Sequence, residues 1–304
     1  MSDGFSDVIN TQCDCYTPNV YIPTAKLIDN IFGMGAWDPY HNAEADIRVS
    51  PKYSKKPAYV QAMIRLSQPI DIYDWVVFVA FCSLVYDGLA HGEREYICTA
   101  KQILRKMTGK KSNCTQASAA IHNIEVSMAK MFATEIDFAW GEHAAMARID
   151  TESCGLPVHV ERDHLIPARI IMQRLKNGQT VVAYRVLEVP ALYKYAKIVS
   201  QVETLDDSVI DMEINNTPRN IALKFVLLKR IIRIKNPKSV SSNVIRMDWI
   251  FDTCQIPVDC SRTEAKRVKD TVYRILDSLM AKQYIAGYDK LTTGRTVDRV
   301  KIRY

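Results

Sequence analysis

The strongest constraint on the fold of this chain is an order of helices and strands that its sequence predicts twice. Each copy starts with a long apolar helix and continues with a short strand, two more helices and a β-hairpin. The first copy comprises helix Asp71–Asp87, strand Glu95–Cys98, a helix from Thr99 to Gly109, a helix from Thr115 to about Phe132, and hairpin strands Glu135–Trp140 and Arg148–Asp150. The second comprises a helix from Thr217 to Lys235, strand Val244–Arg246, helix Met247–Gln255, helix Ser261–Lys282, and strands Tyr284–Tyr288 and Val297–Arg303. The recurrence predicts a duplicated module.

This order is that of a winged helix-turn-helix, in which three helices are followed by a hairpin called the wing. The sequence therefore predicts an α+β fold with two tandem winged-helix domains. A short similarity between Ser127–Lys130 and Ser278–Lys282, each before a predicted wing, supports the duplication. We expect an N-terminal arm at 1–43, a first winged-helix domain at 44–203 and a strongly basic second one at 204–304.

The first domain contains a segment that a minimal winged helix does not need. Residues 163–201 predict a β-hairpin followed by a helix, and Asn177-Gly178 favours a type I′ turn in that hairpin. The two hairpin strands are Ile166–Leu175 and Thr180–Val189. We interpret 163–201 as an insert, and the polar, acidic stretch Thr204–Asp211 as the boundary between the domains.

The charge of the chain is divided unevenly along its length. Its formal net charge is +6. Residues 216–304 hold 19 basic and 8 acidic side chains, a net charge of +11, whereas residues 1–215 hold 21 and 26, a net charge of −5. A C-terminal third this basic indicates a polyanionic partner. The alternative is a solvated surface that the acidic part balances.

The predicted third helix of the second domain presents a basic face in its N-terminal half, which is the half that usually enters the major groove. The residues expected to turn inward are Ala265, Val268, Val272, Ile275 and Leu279. The candidate DNA-binding residues are Arg262, Thr263, Lys266, Arg267 and Arg274 on the helix, and Arg295, Arg299, Lys301 and Arg303 on the wing. The last three alternate, so a strand would direct them to one side. The alternative for the helix is a solvated face in which Lys266 and Arg267 pair with Asp270.

The third helix of the first domain exposes a small polar face instead, which also includes Lys130. Its candidate DNA-binding residues are Thr115, Gln116, Ser118, His122 and Asn123. An amide side chain can form two hydrogen bonds with adenine, so Asn123 or Gln116 could contact a base directly. A plain solvent-exposed face accounts equally well for this pattern.

Features that would indicate an enzyme or a metal site are incomplete. Thr108–Ser112 contains a Gly-Lys pair, but Leu104 stands where a phosphate-binding P-loop needs its first glycine. Cys13 and Cys15 have no second close pair that would complete a zinc site, and the six histidines include no helical metal-binding pair. We therefore expect no catalytic site, no cofactor and no metal.

Nothing in the sequence predicts export. The N-terminus MSDGFSDVINTQ is acidic where a signal peptide is basic. The longest strongly apolar run, Trp75–Val85, is far shorter than the ~20 residues that span a bilayer. We therefore expect a cytoplasmic protein that binds no membrane, with its eight cysteines mostly free and no intrachain disulfide.

Three segments of the chain resemble the plasmid replication initiators built from two tandem winged-helix domains, the iteron-binding Rep family. Ile72–Leu104 is similar to the family's opening helix, short strand and second helix. Thr115–Trp140 is similar to its third helix and wing, and Ser261–Tyr288 to its second DNA-recognition helix. The resemblance covers about residues 45–304 and contains no single diagnostic motif.

The resemblance implies a DNA-binding protein that is not an enzyme. Such proteins bind direct repeats in double-stranded origin DNA, help to open an adjacent AT-rich stretch, and recruit the host initiator, helicase and helicase loader. Both winged helices would contact DNA in successive major grooves. Family members exchange between origin-binding monomers and dimers that repress their own gene, which implies a homodimer as a second state. This chain departs from the family in its uncharged first recognition helix and in segment 163–201.

Three other functions fit parts of the pattern. A winged-helix transcriptional repressor would bind DNA without starting replication, but it more often has one recognition helix per chain and binds palindromes as a dimer. A scaffold whose winged helices dock protein partners would bind DNA weakly and without sequence preference. A nickase or primase is the last alternative, and no catalytic motif supports it.

Overall fold

The computed structural model describes residues 19–34, 44–49, 60–66, 68–90, 96–109, 118–139, 163–174, 180–198, 200–237, 241–257, 259–293 and 296–304. The helices in these ranges are α1 (Lys26–Ile31), α2 (Ile72–Ala90), α3 (Ala100–Thr108), α4 (Ser118–Phe132), α5 (Ala191–Ile198), α6 (Asp207–Ile210), α7 (Pro218–Lys235), α8 (Met247–Thr253) and α9 (Arg262–Ala281). The strands are β1 (Asn19–Pro23), β2 (Glu44–Val49), β3 (Val60–Arg65), β4 (Tyr96–Thr99), β5 (Glu135–Ala139), β6 (Asp163–His164), β7 (Ala168–Arg174), β8 (Thr180–Val186), β9 (Val202–Asp206), β10 (Val244–Arg246), β11 (Gly287–Thr293) and β12 (Thr296–Arg303). The fold is mixed α/β with small antiparallel sheets.

Two parts of the chain share one sheet order, and we call residues 72–186 the first module and residues 218–303 the second module. In the first module β8 lies between β4 and β7, and in the second β12 lies between β10 and β11. In both, the short strand after the long first helix pairs with the second strand of a hairpin. The recurrence of elements that the sequence predicts therefore extends to the pairing of the strands.

The hairpin of the first module is not the one that the sequence analysis expects. The prediction of Glu135–Trp140 as a wing strand is wrong, because β5 lies between β3 and β6 in a separate four-stranded sheet. Its predicted partner, Arg148–Asp150, lies outside the described residues. The hairpin β7–β8, which the sequence analysis assigns to an insert, pairs with β4 instead. Hydrophobic alternation predicts a strand but not a partner far along the chain, and the segment directly after α4 was therefore misassigned.

Helix α2 lies at the centre of the molecule because it is apolar on every side. Its residues from Trp75 to Val85 are buried. Asp71 is the N-cap: its carboxylate accepts hydrogen bonds from the backbone N–H groups of Tyr73 at 2.8 Å and Asp74 at 3.0 Å. The Asp74 carboxylate in turn accepts from the Asp71 N–H at 2.8 Å, so two of the unpaired donors at the helix start are satisfied reciprocally.

Gly88 does not end α2, as the sequence analysis expects, but lies inside it. The Tyr96 ring packs directly on this glycine, and a Cβ at position 88 would lie 2.1 Å from Cδ2 of Tyr96. The glycine is therefore explained by the close approach of β4 to the helix rather than by a helix end.

The two modules meet where α2 packs against α7. The Trp75 and Phe225 rings contact edge to face with centroids 6.3 Å apart. The Lys229 ammonium lies 4.6 Å from the centre of the Trp75 ring. Lys224, which is fully buried, donates hydrogen bonds to the carbonyl oxygens of Met107 at 2.9 Å and Ile210 at 3.0 Å. The first helix of the second module is thus bonded directly to the end of α3 in the first.

The N-terminal segment 19–34 packs across this contact. Strand β1 pairs with β9 over five residues. The Asp29 carboxylate forms ion pairs with Lys229 and with Arg233, the latter at 2.6 Å, and Arg233 also donates to the Thr24 carbonyl at 2.9 Å. The bounds 1–43, 44–203 and 204–304 remain predictions, but part of the predicted arm is integral to the contact between the modules.

Asp207, at the start of α6, predicts a pH-dependent stability. Burial raises the pKa of this carboxyl to about 7, although the charge of Lys224 lowers it. A carboxyl whose pKa is higher in the folded chain than its ordinary value of about 4 stabilises the fold fully below that value, and this stabilisation is lost as the pH rises toward 7. We therefore expect the free energy of unfolding to fall between about pH 4 and pH 7 by more in the natural protein than in Asp207→Asn, and by at most about 1.4 kcal/mol per pH unit.

Urea denaturation across this pH range measures the difference. Asp211→Asn, which changes an exposed aspartate four residues away, is the control and should retain the pH dependence of the natural protein. Identical pH profiles for Asp207→Asn and the natural protein would contradict the assignment.

Candidate nucleic-acid interface

Helix α9 is fixed by a cap and by an apolar stripe. The Ser261 hydroxyl accepts a hydrogen bond from the Glu264 N–H at 3.2 Å, as expected of an N-cap. The buried side of the helix consists of Val268, Val272, Ile275, Leu276 and Leu279. This stripe confirms the predicted inward side, except that Ala265 is only half-buried. The packing of the stripe determines which residues of α9 face outward.

The opposite side of α9 brings the predicted DNA-binding residues together. Arg262, Thr263, Lys266, Arg267 and Arg274 are all exposed. In the described part of the chain, neither Lys266 nor Arg267 forms an ion pair with Asp270, which is exposed between them and Arg274. The pairing that would make this a merely solvated face is therefore not found.

A cleft of about 720 Å³ opens between this face and the start of α7. Its lining residues are Ile214, Asn215, Thr217, Pro218, Arg219, Asn220, Arg267, Val268, Asp270, Thr271 and Arg274. The first turn of α7 contributes backbone N–H groups and the positive end of a helix dipole. The Arg219 guanidinium lies 2.6 Å from the Glu264 carboxylate and adds a cation that sequence reasoning missed. Its position two residues after the Thr217 cap could have suggested it, but its proximity to α9 could not be predicted.

The strand β12 places its basic residues as predicted. Val300 and Ile302 are buried, so Arg299, Lys301 and Arg303 lie on the other side of the strand. Arg295 lies outside the described residues.

The acidic neighbours of these cations reduce their availability unequally. Arg299 donates to the carboxylate of Asp298 at 3.3 Å and to the Thr293 hydroxyl at 3.0 Å. Arg303 lies 3.7 Å from the Asp289 carboxylate. Among the described residues Lys301 forms no ion pair. Lys301 is therefore the cation of this strand best able to bind a phosphate.

Helix α4 of the first module differs from α9 in carrying little positive charge on its exposed face. Ser118 and His122 are exposed and Asn123 is half-buried, whereas Thr115 and Gln116 lie outside the described residues. Lys130 is not available on this face as expected, because its ammonium lies 3.3 Å from the Asp74 carboxylate.

The Lys130 contact holds the end of α4 against the start of α2. Burial, and secondarily the charge of Asp71, raise the pKa of Asp74 to about 6, and Lys130 acts in the opposite direction. Lys130 therefore has a structural role in the first module rather than a ligand-binding one.

Other chemistry was sought in the described residues. They contain no cluster of three or more His, Cys, Asp or Glu side chains placed to hold a metal ion. Cys82, Cys98, Cys254 and Cys260 are free thiols, and burial raises the pKa of Cys254 to about 12. No helix in these ranges is both long and apolar enough to cross a membrane.

Comparisons with known proteins give only distant likenesses. No protein-family model and no curated protein sequence matches the chain. Among solved structures, a crystal structure of RctB domains 2–3 is 13% identical, with a TM-score of 0.44 over 86% of this chain and 92% of that one. A selenomethionine derivative of RctB domains 2 and 3 is 14% identical, with a TM-score of 0.42 and the same coverage. Likenesses this distant carry no functional conclusion, so function has to be inferred from this chain's own surface.

Proposed function

We propose that this chain is a sequence-specific double-stranded DNA-binding protein that initiates replication at origin repeats of a plasmid or mobile element. The observation that carries the proposal is the outward face of α9. Four cations, Arg262, Lys266, Arg267 and Arg274, are exposed there without forming an ion pair to a described residue. A surface of this kind fits a polyanion, and its arginines can also form two hydrogen bonds each with a guanine.

In this proposal each module is a winged helix. The shared sheet order supports it, because in both modules the short strand between the first two helices pairs with the final strand of the hairpin. Helix α9 would enter a major groove as the recognition helix, while β11–β12 would lie along the backbone as the wing. In the first module α4 would be the recognition helix and β7–β8 the wing, where Arg169 and Arg174 are exposed.

An initiator agrees better with this arrangement than a repressor does. One chain carries two unequal DNA-binding helices, one basic and one polar and nearly uncharged. Two unequal surfaces in one monomer match an asymmetric direct repeat, whereas the repressor alternative binds a palindrome through dimer symmetry.

The remaining parts of the proposal follow from the resemblance to the Rep initiators. The protein would act without catalysing a reaction or holding a cofactor, in the cytoplasm. It would open an AT-rich stretch next to its repeats, recruit the host initiator, helicase and loader, and form a homodimer as its second state. The first module, with its weakly charged α4, is the part left free to contact proteins.

Footprinting of the full chain on the DNA that flanks its own gene tests the proposal. We expect protection of several direct repeats of ~20 base pairs, about two helical turns, beside an AT-rich tract. Protection of a single inverted repeat would favour the repressor. Weak binding without protection of any sequence would favour the protein scaffold and contradict the proposal.

A further inference from the structure

Asp270 occupies the centre of the outward face of α9. At about 100° per residue it lies opposite the middle of the buried stripe, with Lys266 one turn before it and Arg274 one turn after it. It lines the same cleft as Arg267 and Arg274. The one carboxylate of this cluster therefore stands where the face would approach a bound duplex most closely.

The fold does not account for this carboxylate. Three cations lie three or four residues away on the same helix, at the spacing where ion pairs form, yet Asp270 makes no ion pair or hydrogen bond within the described residues. Asp277, two turns further along, shows the contrast. Its carboxylate accepts a hydrogen bond from the Tyr288 hydroxyl at 2.8 Å and so helps to pack β11 on the helix.

A carboxylate at the centre of a DNA-binding face is unfavourable for non-specific binding. Phosphate oxygens, and the O6 and N7 atoms of guanine, are acceptors that repel it. Thymine offers it no donor in the major groove, and adenine places an acceptor beside its amino group. The cytosine N4 amino group is the base-edge donor that suits an acidic side chain best.

We infer that Asp270 is a specificity-determining residue that accepts a hydrogen bond from the N4 amino group of a cytosine in the target site. This inference rests on the proposed function. The cations around it supply affinity for any duplex, and the carboxylate penalises every duplex that lacks a cytosine at one position. Discrimination then comes from rejection of wrong sequences as well as from attraction to the right one.

Selection of binding sites from a random duplex library tests the inference with three full-length proteins: the natural chain, Asp270→Asn and Asp277→Asn. The natural chain should enrich cytosine at one position, with a preference of roughly tenfold or more over other bases. Asp270→Asn should lose this preference or change it to adenine, because an amide can bond to adenine N6 and N7. It should also bind a scrambled duplex more tightly, because a repulsive charge has been removed.

The control and the other outcomes separate this inference from the proposed function. Asp277→Asn removes the same charge from the same helix away from the cleft, and it should select the same site as the natural chain. If the natural chain enriches no sequence, the proposed function fails and the inference with it. If a site is enriched and Asp270→Asn keeps its cytosine, or Asp277→Asn changes the site equally, only the role of Asp270 is overturned.

Discussion

Arg267→Ala should abolish the preference of this chain for its own DNA site while leaving most of its affinity for unrelated duplexes. Arg267 is exposed in the N-terminal half of α9, two turns before Arg274, and no ion pair with a described residue occupies its guanidinium. Two hydrogen bonds from an arginine to guanine O6 and N7 discriminate by about 1–3 kcal/mol. The specific affinity should therefore fall roughly 5- to 150-fold.

Fluorescence titrations against the specific and a scrambled duplex measure both affinities. Lys194→Ala is the matched control, because it removes a cation on α5 that is paired with Glu188 and lies outside the second module. It should leave both affinities unchanged. An equal loss of affinity for both duplexes in Arg267→Ala would show that the residue binds phosphate and does not contact a base.

Asp29→Asn should cause the largest loss of stability of any single change considered for this chain. Asp29 is the carboxylate of a cluster with two cations, Lys229 and Arg233, and its side chain is 10% exposed. Burial lowers the pKa of Lys229 to about 8, while the charge of Asp29 raises it. Removing one partner of a buried ion pair leaves the other without compensation, which costs about 3–5 kcal/mol. Because Arg233 is partly exposed, we expect a value of about 3 kcal/mol.

Chemical denaturation of the full chain checks this value. Glu188→Gln breaks an exposed ion pair to Lys194 and provides the control, with an expected change below about 1 kcal/mol. A loss in Asp29→Asn no larger than in the control would mean that the N-terminal segment does not hold the modules together.

The sequence alone predicted the features that depend on neighbours along the chain. Thr99 caps α3, with its hydroxyl accepting from the Gln102 N–H at 3.3 Å, and Gly109 ends that helix in a left-handed conformation with a φ of 74°. The buried stripe of α9 and the alternation along β12 also follow from local periodicity. These features were predictable because a helix or strand repeats its own geometry every few residues.

Features that depend on distant partners could not be predicted in the same way. Strand β5 has the composition of a hairpin strand, but its partner β3 precedes the first module. Asp29 is unremarkable in the sequence, yet its partners Lys229 and Arg233 lie about 200 residues away. Likewise, only the structure shows that Arg299 and Arg303 have acidic neighbours while Lys301 has none among the described residues.

The salt dependence of DNA binding tests the central claim, that the second module binds duplex DNA through these cations. Each phosphate contact adds about 0.9 to the slope of log affinity against log salt concentration. We expect the combined variant Arg262→Ala, Lys266→Ala, Arg274→Ala and Lys301→Ala to bind a duplex with a slope shallower by about 3–4 than that of the natural chain. An unchanged slope, with affinity retained, would show that the DNA lies elsewhere on the protein and would contradict the account.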